Sequence, residues 1–119
     1  MAGEGLFIGW GEVVRGREKH ALQVFQESMD YYGKLQQDGQ IEGFDVWLLA
    51  PHGGDLAGFV ILRADRRALA EIRFSDEFER LIARASAIID SPGVVLAYSG
   101  EALAKQLDFF QEVANEFGG

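Results

Sequence analysis

Leu56-Ala57-Gly58-Phe59-Val60-Ile61-Leu62-Arg63 is the stretch whose reading decides the fold. Taken as a strand, it puts Leu56, Gly58, Val60 and Leu62 on one side and Ala57, Phe59, Ile61 and Arg63 on the other, so neither face suits water. A strand of this kind must be covered twice. Pro51-His52-Gly53-Gly54-Asp55 leads into it, and before that turn Phe44-Asp45-Val46-Trp47-Leu48-Leu49-Ala50 is again apolar on both sides. So short a connection predicts a hairpin, with Gly53-Gly54 taking the unusual dihedrals and the two strands antiparallel.

Working outward, Leu6 to Val14 reads as a first strand, with Leu6, Ile8, Trp10 and Val14 opposite Phe7, Gly9, Gly11 and Val13. Two glycines on one face clear space, either for a bend, bulge or close packing or for a ligand cleft. From Arg17 to about Asp38 the period becomes helical: Leu22, Phe25, Met29 and Tyr32 form one apolar line, widened by Val24, Ser28, Tyr31 and Leu35, and Gly39 is a stop. After Arg63 two helical pieces are predicted, Arg66 to Ile72 and Asp76 to Ile89. Ser75 caps the second, whose buried stripe is Phe78, Ile82, Ala85 and Ile89. Ser91-Pro92-Gly93 ends that helix and Val94 to Tyr98 reads as a fourth, doubly covered strand. The last element, Glu101 to Phe117, carries Leu103, Leu107, Phe110, Ala114 and Phe117 at spacings of four, three, four and three. Phe109 and Val113 form a second line, more than a helix on one small surface needs.

Bulk properties narrow the function classes. A chain of 119 residues predicts one domain spanning 1–119. Hydrophobic residues at 48% and charged residues at 25% give the balance of an ordinary globular protein. The net charge of −8, with the basic residues interleaved among acids, argues against a nucleic-acid partner. With no cysteine there is no disulfide framework, thiol nucleophile or thiolate metal site, as suits the cytoplasm. No signal-peptide pattern and no membrane-length apolar run is seen, so no membrane association is expected.

The order strand, helix, strand, strand, helix pair, strand, added helix is the split βαββαβ arrangement of ferredoxin-like α+β folds, a four-stranded antiparallel sheet with helices on one face. Apolar residues on the other face need a second cover. The economical one is a second copy packed through the sheet face by a two-fold axis; the alternative is a monomer whose last helix folds back over its own sheet. In element order, in the Gly53-Gly54 hairpin, in Leu56-Ala57-Gly58-Phe59-Val60 and in the helix start Ser75-Asp76-Glu77-Phe78, the chain resembles the dimeric α+β barrel superfamily, especially its small bacterial members. That resemblance implies a homodimer. It leaves function open, since the superfamily holds cofactor-free monooxygenases, haem-degrading enzymes, small-ring isomerases and ligand-sensing modules.

Chemistry-bearing motifs are sparse. Neither histidine, His20 or His52, has a second ligand at metal spacing and no H-E-x-x-H occurs, so no metal is expected. Val14 stands where a dinucleotide loop beginning Gly9-Trp10-Gly11 needs its third glycine. Gly53-Gly54 has no following Lys-Ser or Lys-Thr, and no Gly-x-Ser-x-Gly elbow is present. No cofactor is called for.

The candidate ligand-binding residues are Trp47, Phe59, Tyr31 and Tyr32, with Asp45, Arg63 and His52 as polar members, gathered between the sheet and the first helix. Arg63 would fix an anionic group. The competing reading makes the aromatics core, lets Arg63 pair with an acid such as Glu12, and gives His52 to the turn. In the superfamily's oxygenases an Asn, Trp and His group is common; here Asn115 is the only Asn, so no catalytic role carries over. Three readings follow: a homodimer binding a small apolar or aromatic molecule with one polar anchor, a cofactor-free monooxygenase or isomerase using Tyr31, His52 or Asp45, or a structural or partner-binding dimer without a ligand.

Overall fold

The computed structural model describes residues 3–118. Its elements are β1 (Glu4–Trp10), α1 (Glu18–Gln37), β2 (Gly43–Leu48), β3 (Gly58–Arg63), α2 (Arg66–Arg73), α3 (Asp76–Ser86), β4 (Gly93–Tyr98) and α4 (Gly100–Glu116). The strands form one antiparallel sheet in the order β2-β3-β1-β4. β3 is therefore central, flanked by β2 through the expected hairpin and by β1. The register aligns Leu6 with Leu62 and Leu96, and Ile8 with Val60 and Val94, so one face of the sheet is a continuous aliphatic layer.

That layer meets the helices. Leu6, Ile8, Val60 and Leu62 are buried beneath Val24, Tyr32 and Leu35 of α1, Leu69 and Ile72 of α2, and Phe78 and Leu81 of α3. α2 starts where the Asp65 carboxylate accepts a hydrogen bond from the Ala68 N–H at 2.9 Å. α3 restarts at Ser75, whose hydroxyl accepts from the Phe78 N–H, and Asp76, Glu77 and Glu79 complement the positive end of its dipole. The cap holds the chain in the turn that drops Phe78 into the core, where it is fully buried.

The opposite face has no helix on it. It presents Phe7 stacked on Phe59 with ring centroids 5.2 Å apart, then Ile61, Val95 and Trp47, the last 59% exposed. The glycine question of the first strand is answered here. A Cβ on Gly9 would stand 2.6 Å from Cε1 of Phe7, so the space is filled by that ring and holds no cleft.

The predicted first strand is also shorter than its apolar pattern. It leaves the sheet after Trp10, and Glu12–Val14 pairs instead with the segment behind α3. The Gly11 N–H donates to the Asp90 carbonyl, the Asp90 N–H to the Glu12 carbonyl and the Val14 N–H to the Ile88 carbonyl, each at 2.8 Å.

α4 stands apart from this packing. It leans chiefly on β4 and buries only Ala102 well. The radius of gyration is 16.5 Å, against the roughly 13.5 Å expected of a compact chain of this length. No described helix is long and apolar enough to cross a membrane.

Truncating Phe78 to Ala removes a fully buried ring at the junction of sheet and α3. The expected loss is about 3–5 kcal/mol of unfolding free energy, read as a lower urea midpoint at unchanged slope.

Candidate functional site

α1 and α3 do not close completely on the sheet. Between them lies a cavity of about 460 Å³, within the ordinary range for small-molecule pockets. Phe25 and Met29 of α1, Ile82 and Ala85 of α3, and Trp10 and Val60 of the sheet set its walls. Its origin is local. Where the two helices face each other the residues are small, Ala21 and Ser28 on α1 and Ala85 on α3, while outside the gap Arg84 and Glu27 tie the helices together at 2.8 Å. Trp10 meets Phe25 edge to face with centroids 6.3 Å apart, and Val13 and Ile88, from the short ladder after β1, close one side. At the lip, Leu22 is 73% exposed. The first line predicted for α1 thus turns partly outward at its start, and burial shifts to Val24, Tyr32 and Leu35.

Besides the Trp10 indole, the polar side chains of the lining are Glu18, Ser28 and Tyr32. Two of them are engaged: the Glu18 carboxylate accepts from the Gly16 N–H, and the Ser28 hydroxyl donates to the Val24 carbonyl at 2.8 Å. Tyr32 is 2% exposed, with its ring against Tyr31 and Phe44. Its hydroxyl makes no hydrogen bond among the described residues. No sealed side-chain oxygen lacks a partner, so this hydroxyl is not completely enclosed. Burial pushes the phenol well above its ordinary 10.0, and the neighbouring Tyr31 adds to the shift. Burial also raises Tyr31, partly offset by the Ser75 hydroxyl beside it, with Glu77 pushing in the same direction as burial. Both phenols are held neutral at physiological pH. They suit hydrogen-bond donation and not base catalysis.

The residues singled out from sequence do not gather in one place. Tyr32 lines the cavity. Asp45, Trp47, Phe59 and Arg63 lie on the opposite, helix-free face, and the expectation that they meet beneath the first helix is not met: the register places Val60 and Leu62, not Phe59 and Ile61, toward α1. The partner of Arg63 is Asp45 at 2.9 Å on the neighbouring strand, in place of Glu12. Its guanidinium crosses Gly43, where a Cβ would stand 2.5 Å from Nη2. Both members of the pair are about half exposed, so the pair contributes little to stability. His52 belongs to the turn: Nδ1 accepts from the Gly54 N–H at 3.2 Å and Nε2 donates to the Leu56 carbonyl at 2.9 Å. Tyr31 sits beside Ser75 at the α2–α3 junction. Among the described residues no group of three or more His, Cys, Asp or Glu is placed to hold a metal ion.

Trp10, Phe25, Met29 and Ala85 were legible as stripe residues but not as cavity walls. The available signal was the small residues, Ala21, Ser28 and Ala85, set into otherwise bulky stripes.

No family model and no curated protein matches the sequence. Solved structures do match. A dimeric protein of unknown function and ferredoxin-like fold from Bacteroides fragilis aligns with a TM-score of 0.58 at 12% identity, covering 82% of this chain and 97% of its own. The fold is ferredoxin-like. A conserved protein from Methanosarcina mazei aligns with a TM-score of 0.63 at 10% identity, over 82% of this chain and 93% of that one. SnoaB, a cofactor-independent oxygenase from Streptomyces nogalater, gives 0.57 at 18% identity, over 83% and 95%. At these identities the likeness is one of architecture, and it agrees with the dimeric α+β barrel resemblance read from the element order.

Because the buried Tyr32 phenol ionises at higher pH than in the unfolded chain, its contribution to stability is complete below pH 10 and is lost as pH rises above that value. Urea midpoints of the parent should therefore hold up to about pH 10 and fall as the pH is raised beyond it, and Tyr32→Phe should flatten that decline.

Proposed function

We propose that the protein is a homodimeric small-molecule-binding protein of the dimeric α+β barrel type, one domain per protomer, that holds a small apolar or aromatic molecule between its sheet and α1 and α3. The observation that carries this reading is the cavity of about 460 Å³ with nearly all-apolar walls. Interiors pack to crystal-like density, so an apolar gap of this size between helices and sheet is a departure that a small ligand would fill. The one polar anchor is the Tyr32 hydroxyl, a neutral donor suited to a carbonyl or ether oxygen. Arg63 is not the anchor, being committed to Asp45 on the far side of the sheet.

The helix-free face supports the homodimer half of the reading. Phe7, Phe59, Ile61, Val95 and Trp47 make an apolar surface that a second copy of the same sheet covers without further machinery. The enzyme reading draws no comparable support. Its acid and base candidates lie apart, Asp45 on the far face, His52 inside its turn and Tyr31 at the α2–α3 junction, and they do not converge on the cavity.

The test uses the neutral fluorophore N-phenyl-1-naphthylamine in a Trp47→Phe background, where the remaining tryptophan, Trp10, reports from the cavity wall. Saturable binding with quenching of Trp10 is expected, and Ala85→Phe, which projects a ring into the gap, should weaken it at least about tenfold with the fold retained. Binding indifferent to Ala85→Phe, or no saturable binding by neutral apolar probes, removes the reading.

A further inference from the structure

We infer that α4 is an intermolecular arm, whose Leu103, Leu107, Phe110 and Phe117 stripe seats on the second copy of the chain as an extension of the sheet-face interface. The inference rests on the homodimer reading above and adds to it a second contact surface.

The first argument is the orientation of the helix. Ala102 and Gln106, about one turn apart, face the body of the same chain beside Glu4 and Arg66, and with Ala114 they are the more covered positions of the helix. Leu103, Leu107, Phe110 and Phe117 form the adjoining stripe and stay open to solvent, Phe110 at 73% and Phe117 at 78%. With a period of 3.6, Glu101, Asp108, Glu112 and Glu116 fall on the side away from that stripe. The acidic side is thus free to stay in water while the apolar stripe is buried, which keeps these four carboxylates out of the contact.

The second argument is size. A fully exposed aromatic side chain offers about 150–250 Å², so the two phenylalanines with Leu103, Leu107, Phe109 and Val113 leave several hundred Å² on one helix. That is on the scale of the largest apolar patch a soluble monomer carries, a kind of patch that is often functional. Together with the open sheet face it moves toward the roughly 800 Å² per partner that stable dimers bury.

The third argument is shape. The chain measures 53 × 38 × 23 Å, and α4 does not fold back over its own open face, so the same molecule carries both an apolar surface and an apolar projecting helix. Two such surfaces on one chain are satisfied together by an isologous pair, in which each copy gives its arm and receives the other.

The experiment is sedimentation equilibrium on the full chain and on the double variant Phe110→Glu/Phe117→Glu, with Phe110→Leu/Phe117→Leu as the conservative control. Both positions are solvent-exposed in the protomer and Glu is a good helix former, so helix content by circular dichroism should be retained. The parent should sediment at twice 13.2 kDa. The charged variant should raise the dissociation constant by at least about 100-fold and the Leu variant by less than about tenfold. A parent dimer with unchanged affinity in the charged variant overturns the role of α4 and leaves the sheet-face homodimer standing. A monomeric parent overturns the homodimer reading itself.

Discussion

Everything in this structure follows from a sheet whose central strands have no polar face. β1 and β3 carry Leu6, Ile8, Val60 and Leu62 toward the helices and Phe7, Phe59 and Ile61 away from them. Water can be excluded from the first set by helices of the same chain, because the βαββαβ connections deliver α1, α2 and α3 to one side. Nothing in that connectivity delivers a cover to the other side. The division of labour is then fixed: one face of the sheet organises the protomer and its cavity, and the other is available for association.

The cavity and the open face are complementary outcomes of the same packing economy. On the helix side, large residues close the sheet at Leu62, Leu69 and Phe78, while small residues where α1 faces α3 leave a gap above Val60 and Ile8. On the open side, the Phe7–Phe59 stack and the Phe7 ring fill the space over Gly9. The polar residues obey the same split. Arg63 and Asp45 neutralise each other at one rim of the open face, and Tyr32 lines the cavity.

Much of the fold was legible because its signals are local. The period-two runs, the Gly53-Gly54 turn, the Ser75 cap and the Pro92-Gly93 stop each act over a few residues, and their elements appear within a few residues of the expected bounds. What was not legible is which parity of β3 faces the helices, since Gly58-Val60-Leu62 and Phe59-Ile61-Arg63 are both apolar enough to be core. That single ambiguity moved Trp47, Phe59, Asp45 and Arg63 from a supposed pocket to the far face. The loss of β1 after Trp10 is of the same kind: Val13 and Val14 are apolar because they pair with Ile88 to Asp90, and a strand pattern does not name its partner. Tyr32 lines the cavity because it continues the apolar line of α1 that faces the sheet.

The sheet order also bears on how the chain acquires its structure. β1 is synthesised before either of its neighbours, yet it pairs with β3 and β4, joining Leu6 to Leu62 and to Leu96. Until residues as late as Gly93–Tyr98 are made, this two-faced apolar strand has one or both edges open. Non-local pairing of this kind slows folding and leaves edges exposed to other chains. Local elements, the capped α2–α3 pair and the β2–β3 hairpin, need no such distant partner, whereas β4 has only β1 to pair with.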